Sequence, residues 1–547
     1  MSAFSSHLVV APIVLPLVTA ALLVLLGEKR RLSRSLLNLG SCVAGLLVAV
    51  TLLRSVDGNE AGLVGVYLAA NWEAPFGIVL VADRLSALLL VLVGIVSLAT
   101  ALYAEAGWAR AGVYFYPLFQ IQLMGLSGAF LTGDLFNLFV FFEVMLAASY
   151  GLQLHGSGWR RVRSGLHYIA VNLLASLLFL VGLAMVYGVM GTLSMADIAQ
   201  KLAHVPASDV GLLHAGASCL AVAFLIKAAM WPLGAWLVPA YSATSAPVAA
   251  LFAVMTKVGV YVLLRTWTLF FGPGAGESAF FGGQVFLVGG LATIAFGALG
   301  LMASLRLGRI ASFSILVSSG TLLAAIGMGS VSVTSAALFY MLSATLAASA
   351  LFLLVELVER HGVGEWRPLV DIDVDAGEDT NLDDEELPLV GRAFPVSLAL
   401  LGLAFMVAAL LVAGLPPLSG FIAKVSLLTA ILGSGGGAGS HVFGWWLFGL
   451  LLLSGLVSIV SLSRAGIRHF WSPSRRLVPR LKFVEAVSVV ALLSSCVALT
   501  VWAEPVLRFT NAAAEELHAP RAYIESVSTA LPKPGPTRPN VGAEAAP

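Results

Sequence analysis

Apolar stretches of about 20 residues, the length of a bilayer-spanning helix, recur roughly 14 times along this chain. No other feature restricts the fold as strongly. Hydrocarbon offers the backbone no hydrogen-bond partners, so each stretch has to satisfy its own N–H and C=O groups as an α-helix. The expected fold is therefore an all-α polytopic membrane protein. Composition agrees: 59% of the 547 residues are hydrophobic and 11% are charged. A net charge of +1 gives no sign of a nucleic-acid partner. Cys42, Cys219 and Cys496 lie far apart in apolar runs and read as small buried hydrophobes, neither a disulfide framework nor a metal-ligand set. The first apolar run, 9–26, follows an N-terminus without basic residues and precedes Lys29, Arg30, Arg31 and Arg34. That reverses the charge order of a signal peptide, so the run reads as a retained span.

Two stretches contain helix breakers. The stretch 394–433 is too long for one straight crossing and holds Gly414-Leu-Pro-Pro417, while 211–238 is interrupted at Trp231-Pro232-Leu-Gly234. Proline removes a backbone donor and clashes with the preceding turn, so Pro232, Pro416 and Pro417 predict broken helices seven and twelve. Helices four to eight and nine to thirteen then form two five-helix groups, and a shift of roughly five spans inverts orientation while superposing the breaks. Such inverted repeats are a pattern of secondary transporters. The chain divides into 1–110 (helices one to three), 111–272 (first repeat), 280–470 (second repeat, with an acidic loop at 360–391), 471–503 (helix fourteen) and a tail, 504–547.

Loop charge sets the expected orientation. Arg160, Arg161, Arg163, Arg306, Arg309, Arg464, Arg468, Arg475, Arg476, Arg480 and Lys482 fall in alternate loops together with the first basic cluster. The positive-inside rule places those loops in the cytoplasm and both termini outside it. The acidic loop, with Asp371, Asp379 and Glu386 among its carboxylates, is then cytoplasmic. It reads as a solvated connector, with cation gathering or partner docking as the alternative. The Pro- and Ala-rich tail is expected to be disordered beyond Ile524 and to carry no chemistry.

Four ionisable residues sit in the middle of apolar stretches: Glu143, Lys227, Lys257 and Lys424. Each costs about 2.5–3.5 kcal/mol on insertion scales, which makes each a functional candidate and the set a candidate proton or ion path. Glu143 reads either as a neutral acid bonded to a neighbouring helix or, preferably, as a titrating carboxylate paired with Lys227. Lys227 precedes one break and Lys424 follows the other. Arg265, near a helix end, is expected to snorkel to the headgroups. His167 and His214, also near helix ends, read as structural or interfacial. Ser312, Ser314, Ser318 and Ser319 suit either a water chain or close helix packing. Gly272-Pro-Gly-Ala-Gly276 lacks the lysine of a phosphate-binding loop. No Cys/His cluster for haem, zinc or iron–sulfur is present, so neither a cofactor, a metal nor a catalytic residue is expected.

Five segments carry a family resemblance: Phe76–Ser86, Leu131-Thr-Gly-Asp-Leu-Phe-Asn through Glu143, Ala223–Trp236, Thr256–Tyr261 and Leu415–Lys424. The chain resembles the D-type component of Mrp multisubunit cation/proton antiporters (MrpD). This resemblance implies a bacterial plasma-membrane subunit that works with A, B, C, E, F and G type partners among the lipids. It implies exchange of cytoplasmic Na⁺ or K⁺ for external protons. It assigns Glu143 and Lys227 to a helix-five and helix-seven pair, Lys257 to the helix-eight relay and Lys424 to the terminal lysine. Asp134, Ser314, Ser318 and Ser343 are supporting candidates. Ser343 stands where many relatives have histidine and Ala348 where many have lysine, so the second half of the relay is expected to run through water and serines. A proton-pumping subunit of a complex I or membrane-hydrogenase assembly and a non-transporting scaffold subunit remain the alternatives.

Overall fold

The computed structural model describes residues 7–27, 29–58, 65–360, 396–433, 438–471 and 481–532. Helices α1 (Ala11–Leu25) and α2 (Arg31–Asp57) lead to a short antiparallel hairpin, β1 (Gly65–Leu68) and β2 (Val79–Ala82). Then follow α3 (Arg84–Ala104), α4 (Phe115–Leu131), α5 (Leu135–Leu154), α6 (Trp159–Met190), the short α7 (Met195–Leu202) and α8 (Ala207–Lys227). The middle of the chain forms α9 (Leu237–Ala243), α10 (Ala246–Phe270), α11 (Gly283–Ala303), α12 (Leu307–Met328) and α13 (Val331–Glu359). The last elements are α14 (Val396–Ala413), α15 (Ser419–Gly433), α16 (Ala438–Gly466), α17 (Phe483–Val501), α18 (Ala503–His518) and α19 (Arg521–Ser528). Among the described residues, 12 helices are long and apolar enough to cross a membrane. The expected polytopic helical architecture is present.

Burial orders these helices. The most apolar stretch of α10 is wholly buried and that of α13 is 94% buried, whereas those of α2 and α14 are 28% buried. Helices that are apolar all round but differently covered form a central axis, here α10, α12 and α13, inside a less buried outer ring. Close packing in that axis relies on absent side chains: a Cβ on Gly290 of α11 would lie 2.4 Å from the backbone nitrogen of Ala324 on α12. Small residues let transmembrane backbones approach this closely.

Both expected breaks are present, and they are built alike. Helix α8 ends at Lys227, and Met230 N–H donates to Leu225 O (3.0 Å) around Ala229, whose φ is 58°. Helix α14 ends at Ala413, and Leu415 N–H donates to Leu410 O (3.0 Å) around Gly414, with φ of 77°. A left-handed residue with a six-to-one bond is the Schellman termination, which satisfies carbonyls the helix leaves open. In each case the backbone then passes through proline and resumes as α9 or α15.

Three expectations need correction. The third apolar stretch, read as helical from 77, begins as strand β2, because Asp83 caps α3 by accepting Ser86 N–H at 2.9 Å and so fixes where the helix starts. The tail keeps order past Ile524: α19 runs to Ser528 with Val527 buried, and α18 and α19 are amphipathic helices whose apolar faces, including Phe509, Leu517 and Tyr523, are buried against the bundle, while residues 533–547 lie outside the described residues. Arg265 does not snorkel. It is 6% exposed, ion-paired with Asp83, and lies over the rings of Tyr261 and Tyr523, since α19 covers the helix end that the sequence leaves apparently open. The acidic loop lies outside the described residues, apart from Arg360 at its start.

Candidate functional site

Glu143 is on α5, whose N-terminus is fixed by Asp134 accepting Asn137 N–H at 2.8 Å. Asp134 is thus a helix cap, one helical stretch away from the mid-span carboxylate. Glu143 is half-buried and accepts a hydrogen bond from Ser176 Oγ on α6. Lys227 ends α8 and is 5% exposed. Its Nζ lies 5.0 Å from the centroid of the Phe142 ring and makes no hydrogen bond. Among the described residues Glu143 and Lys227 do not form a direct ion pair: the carboxylate is held by Ser176, and the ammonium faces the ring next to it. A cation over an aromatic face keeps part of its stabilisation when desolvated, so Lys227 can wait there without a carboxylate contact.

Lys257 lies on the wholly buried α10 and is 1% exposed. Its Nζ donates to Ser318 Oγ (2.8 Å) and approaches Ser319 Oγ (3.4 Å), both on α12. The break in α8 is pressed against the same helix: a Cβ on Gly259 would meet Ala228 N at 2.6 Å and Lys227 C at 2.8 Å. Lys227 and Lys257 thus sit on two sides of one tight crossing.

Beyond Ser318 a small cavity of about 30 Å³ opens, lined by Ser314, Ser318, Tyr340, Ser343, Lys424 and Ser458. Volume for a water requires roughly 10–15 Å³ on this measure together with a few polar partners, and both conditions are met. Ser343 and Ser419 exchange a hydrogen bond of 2.9 Å at its edge. Lys424 reaches back across the second break and donates to Ala413 O at 2.7 Å, satisfying a carbonyl at the end of α14. Glycine makes room for it: a Cβ on Gly414 would lie 2.5 Å from Lys424 Cδ, and one on Gly455 3.2 Å from its Nζ.

The geometry therefore joins Lys257, Ser318, Ser314, Ser343 and Lys424 around connected polar space, and places Pro232, Pro416 and Pro417 in the breaks beside the lysines. It leaves Asp134 apart. Ser176, Phe142, Gly259 and Tyr340 were not singled out by the sequence, since each acts through a neighbour on another helix. His214 Nε2 pairs with Ser278 Oγ at 3.0 Å and its ring stacks on Phe281.

Residues 132–448 match the family described as NADH:quinone oxidoreductase/Mrp antiporter, transmembrane. The chain is 48% identical over 97% of its length to the D-type component of a probable K⁺/H⁺ antiporter of Rhizobium meliloti, covering 99% of that protein. The chain belongs to the MrpD family of antiporter subunits. A second relative, the D-type component of the Na⁺/H⁺ antiporter of Alkalihalophilus pseudofirmus, is 32% identical over 95% of the chain and 99% of its own length. The fold matches a chain of the Mrp complex from Dietzia sp. with a TM-score of 0.81 and 26% identity, covering 96% of this chain and 100% of that one. The resemblance carried by the motifs thus extends along nearly the whole protein. The MrpD family is one of transporter subunits.

Proposed function

We propose that this subunit moves protons within a multisubunit Na⁺(K⁺)/H⁺ antiporter, through Glu143, Lys227, Lys257 and Lys424. The observation that supports the reading best is Lys257: a lysine sealed in the most buried helix, hydrogen-bonded to Ser318, which itself lines the cavity containing Lys424. An amine in that position exchanges a proton through hydroxyl and water without a charged partner. Lys227 at the first break and Glu143 with Ser176 supply the other half of the path. Their separation in this conformation fits a switch in which the ammonium leaves Phe142 for the carboxylate when the pair closes.

The equivalent left-handed terminations of α8 and α14 support the two inverted five-helix repeats. Counting each broken helix as one crossing and including the shorter helices α1 and α4, the described helices support a roughly 14-span topology. The basic loops support a cytoplasmic position for the α5–α6 and α11–α12 turns, with both termini outside. The relatives named for K⁺/H⁺ and Na⁺/H⁺ exchange support a monovalent cation as the counter-substrate, and partners of the A, B, C, E, F and G types complete the assembly.

The test is cation-driven proton flux in vesicles carrying the assembled complex, with complex content measured in parallel. Glu143→Gln and Lys227→Ala should abolish flux without loss of assembly. Lys227→Arg should also fail, because guanidinium keeps the charge but hardly releases a proton. Strong flux through Lys227→Arg would show that a fixed positive charge suffices and would end the relay reading of that residue.

A further inference from the structure

A cavity of about 700 Å³ opens at the face that carries the arginine-rich turns, between the N-terminal turns of α6, the end of α9, the start of α12 and the end of α13. That volume is within the range of small-ligand sites. Arg160, Arg163 and His167 line it from one face of α6, at helical spacing, and Arg306 and Arg309 line it from the start of α12. Among the described residues none of these four arginines forms an ion pair or donates a side-chain hydrogen bond. One carboxylate, Glu359, shares the wall; it is turned toward the backbone N–H groups of Leu307 and Gly308 and feels the charge of Arg306 only at a distance. Four guanidiniums converging on one cavity against a single, already engaged carboxylate leave a strong positive field that no other carboxylate among the described residues lining it answers.

We propose that this cavity holds the phosphate headgroup of an anionic phospholipid, bridging α6 and α12. The shared chemistry is a phosphate oxyanion, which guanidinium binds through paired N–H donors. Three features favour a lipid over free phosphate. Basic pockets between spans near the membrane surface are a recurrent lipid-headgroup site. Trp159 on the rim is exposed, and tryptophan is favoured at headgroup depth. The rim also continues into exposed apolar side chains, Leu166 of α6 and Leu305 before α12, along which acyl chains can lie. Two arginine pairs from two helices suit a headgroup with two phosphates better than one with one.

Native mass spectrometry of the assembled complex, exchanged into micelles with equal diphosphatidylglycerol, phosphatidylglycerol and phosphatidylcholine, tests this. Diphosphatidylglycerol should be retained on this subunit in preference to phosphatidylcholine. Arg163→Gln with Arg309→Gln should lower that retention roughly 10–30-fold. Each single change should lower it by a smaller factor, which keeps the test intact if the double variant assembles poorly. Arg110→Gln, exposed on a different turn and outside the cavity, should leave retention unchanged. Retention unaffected by the cavity changes, or equal for the zwitterionic lipid, would overturn the proposal. Displacement of the lipid by millimolar inorganic phosphate would overturn its assignment to a lipid. Failure of the assembled complex to retain any anionic lipid would overturn it as well.

Discussion

Replacing Arg265 with methionine removes the partner of a buried carboxylate and keeps most of the side-chain volume. Arg265 and Asp83 are 6% and 5% exposed, and the guanidinium also lies 5.7 Å from the Tyr261 ring centroid and 5.2 Å from that of Tyr523. Asp83 keeps its bond from Ser86 N–H after the change, so one carboxylate oxygen remains satisfied and the other faces an apolar neighbour. Breaking a buried pair from one side costs about 3–5 kcal/mol, most of it from the stranded charge rather than from the attraction lost. A second change separates these contributions. Asp83→Asn keeps the capping oxygen, since asparagine and aspartate are comparable N-caps, and removes the charge. The double variant should therefore recover at least about 2 kcal/mol relative to Arg265→Met alone. Reversible unfolding of the subunit in mixed micelles measures both numbers. Limited proteolysis reports whether α19, held through Tyr523, is released. The reasoning fails if Arg265→Met unfolds within about 1 kcal/mol of the wild type, or if the double variant is no more stable than the single one.

Further outcomes follow from the same contacts. Ser318→Ala removes the 2.8 Å acceptor of Lys257 and should slow proton flux several-fold with normal assembly; unchanged flux would remove Ser318 from the path. Gly259→Ala pushes a methyl into the backbone at Lys227 and Ala228, and overpacking of about 1–3 kcal/mol at the break should cost more transport than stability, as read by flux per assembled complex. His518, outside the spans, accepts or donates a 3.0 Å bond with Thr334, and burial holds its pKa below the ordinary 6.5. Because protonation then favours the undocked state, α18 should hold firmly above pH 6.5 and loosen as the pH falls through that value until the lowered folded-state pKa is passed. Hydrogen exchange across 503–518 at about pH 8 and about pH 5 measures it, and His518→Gln should flatten the difference.

The sequence alone determined most of the long apolar helices and the places where two of them break. Helical bonds join neighbours four residues apart, so an apolar stretch in hydrocarbon has one solution wherever it lies in the chain, and Gly414, Pro232, Pro416 and Pro417 interrupt that solution locally. The places of Glu143, Lys227, Lys257 and Lys424 within apolar stretches were legible for the same reason. Tertiary structure decided what those groups touch. Ser176 holds Glu143 and Phe142 receives Lys227 because of how α5, α6 and α8 rotate about their axes, which a nearly uniform apolar surface does not encode. Arg265 is the clearest case: a charge near a helix end meets headgroups or a buried aspartate depending on what covers that end. The cover comes from Tyr523, more than 250 residues farther along the chain and brought there by long-range packing of an amphipathic tail.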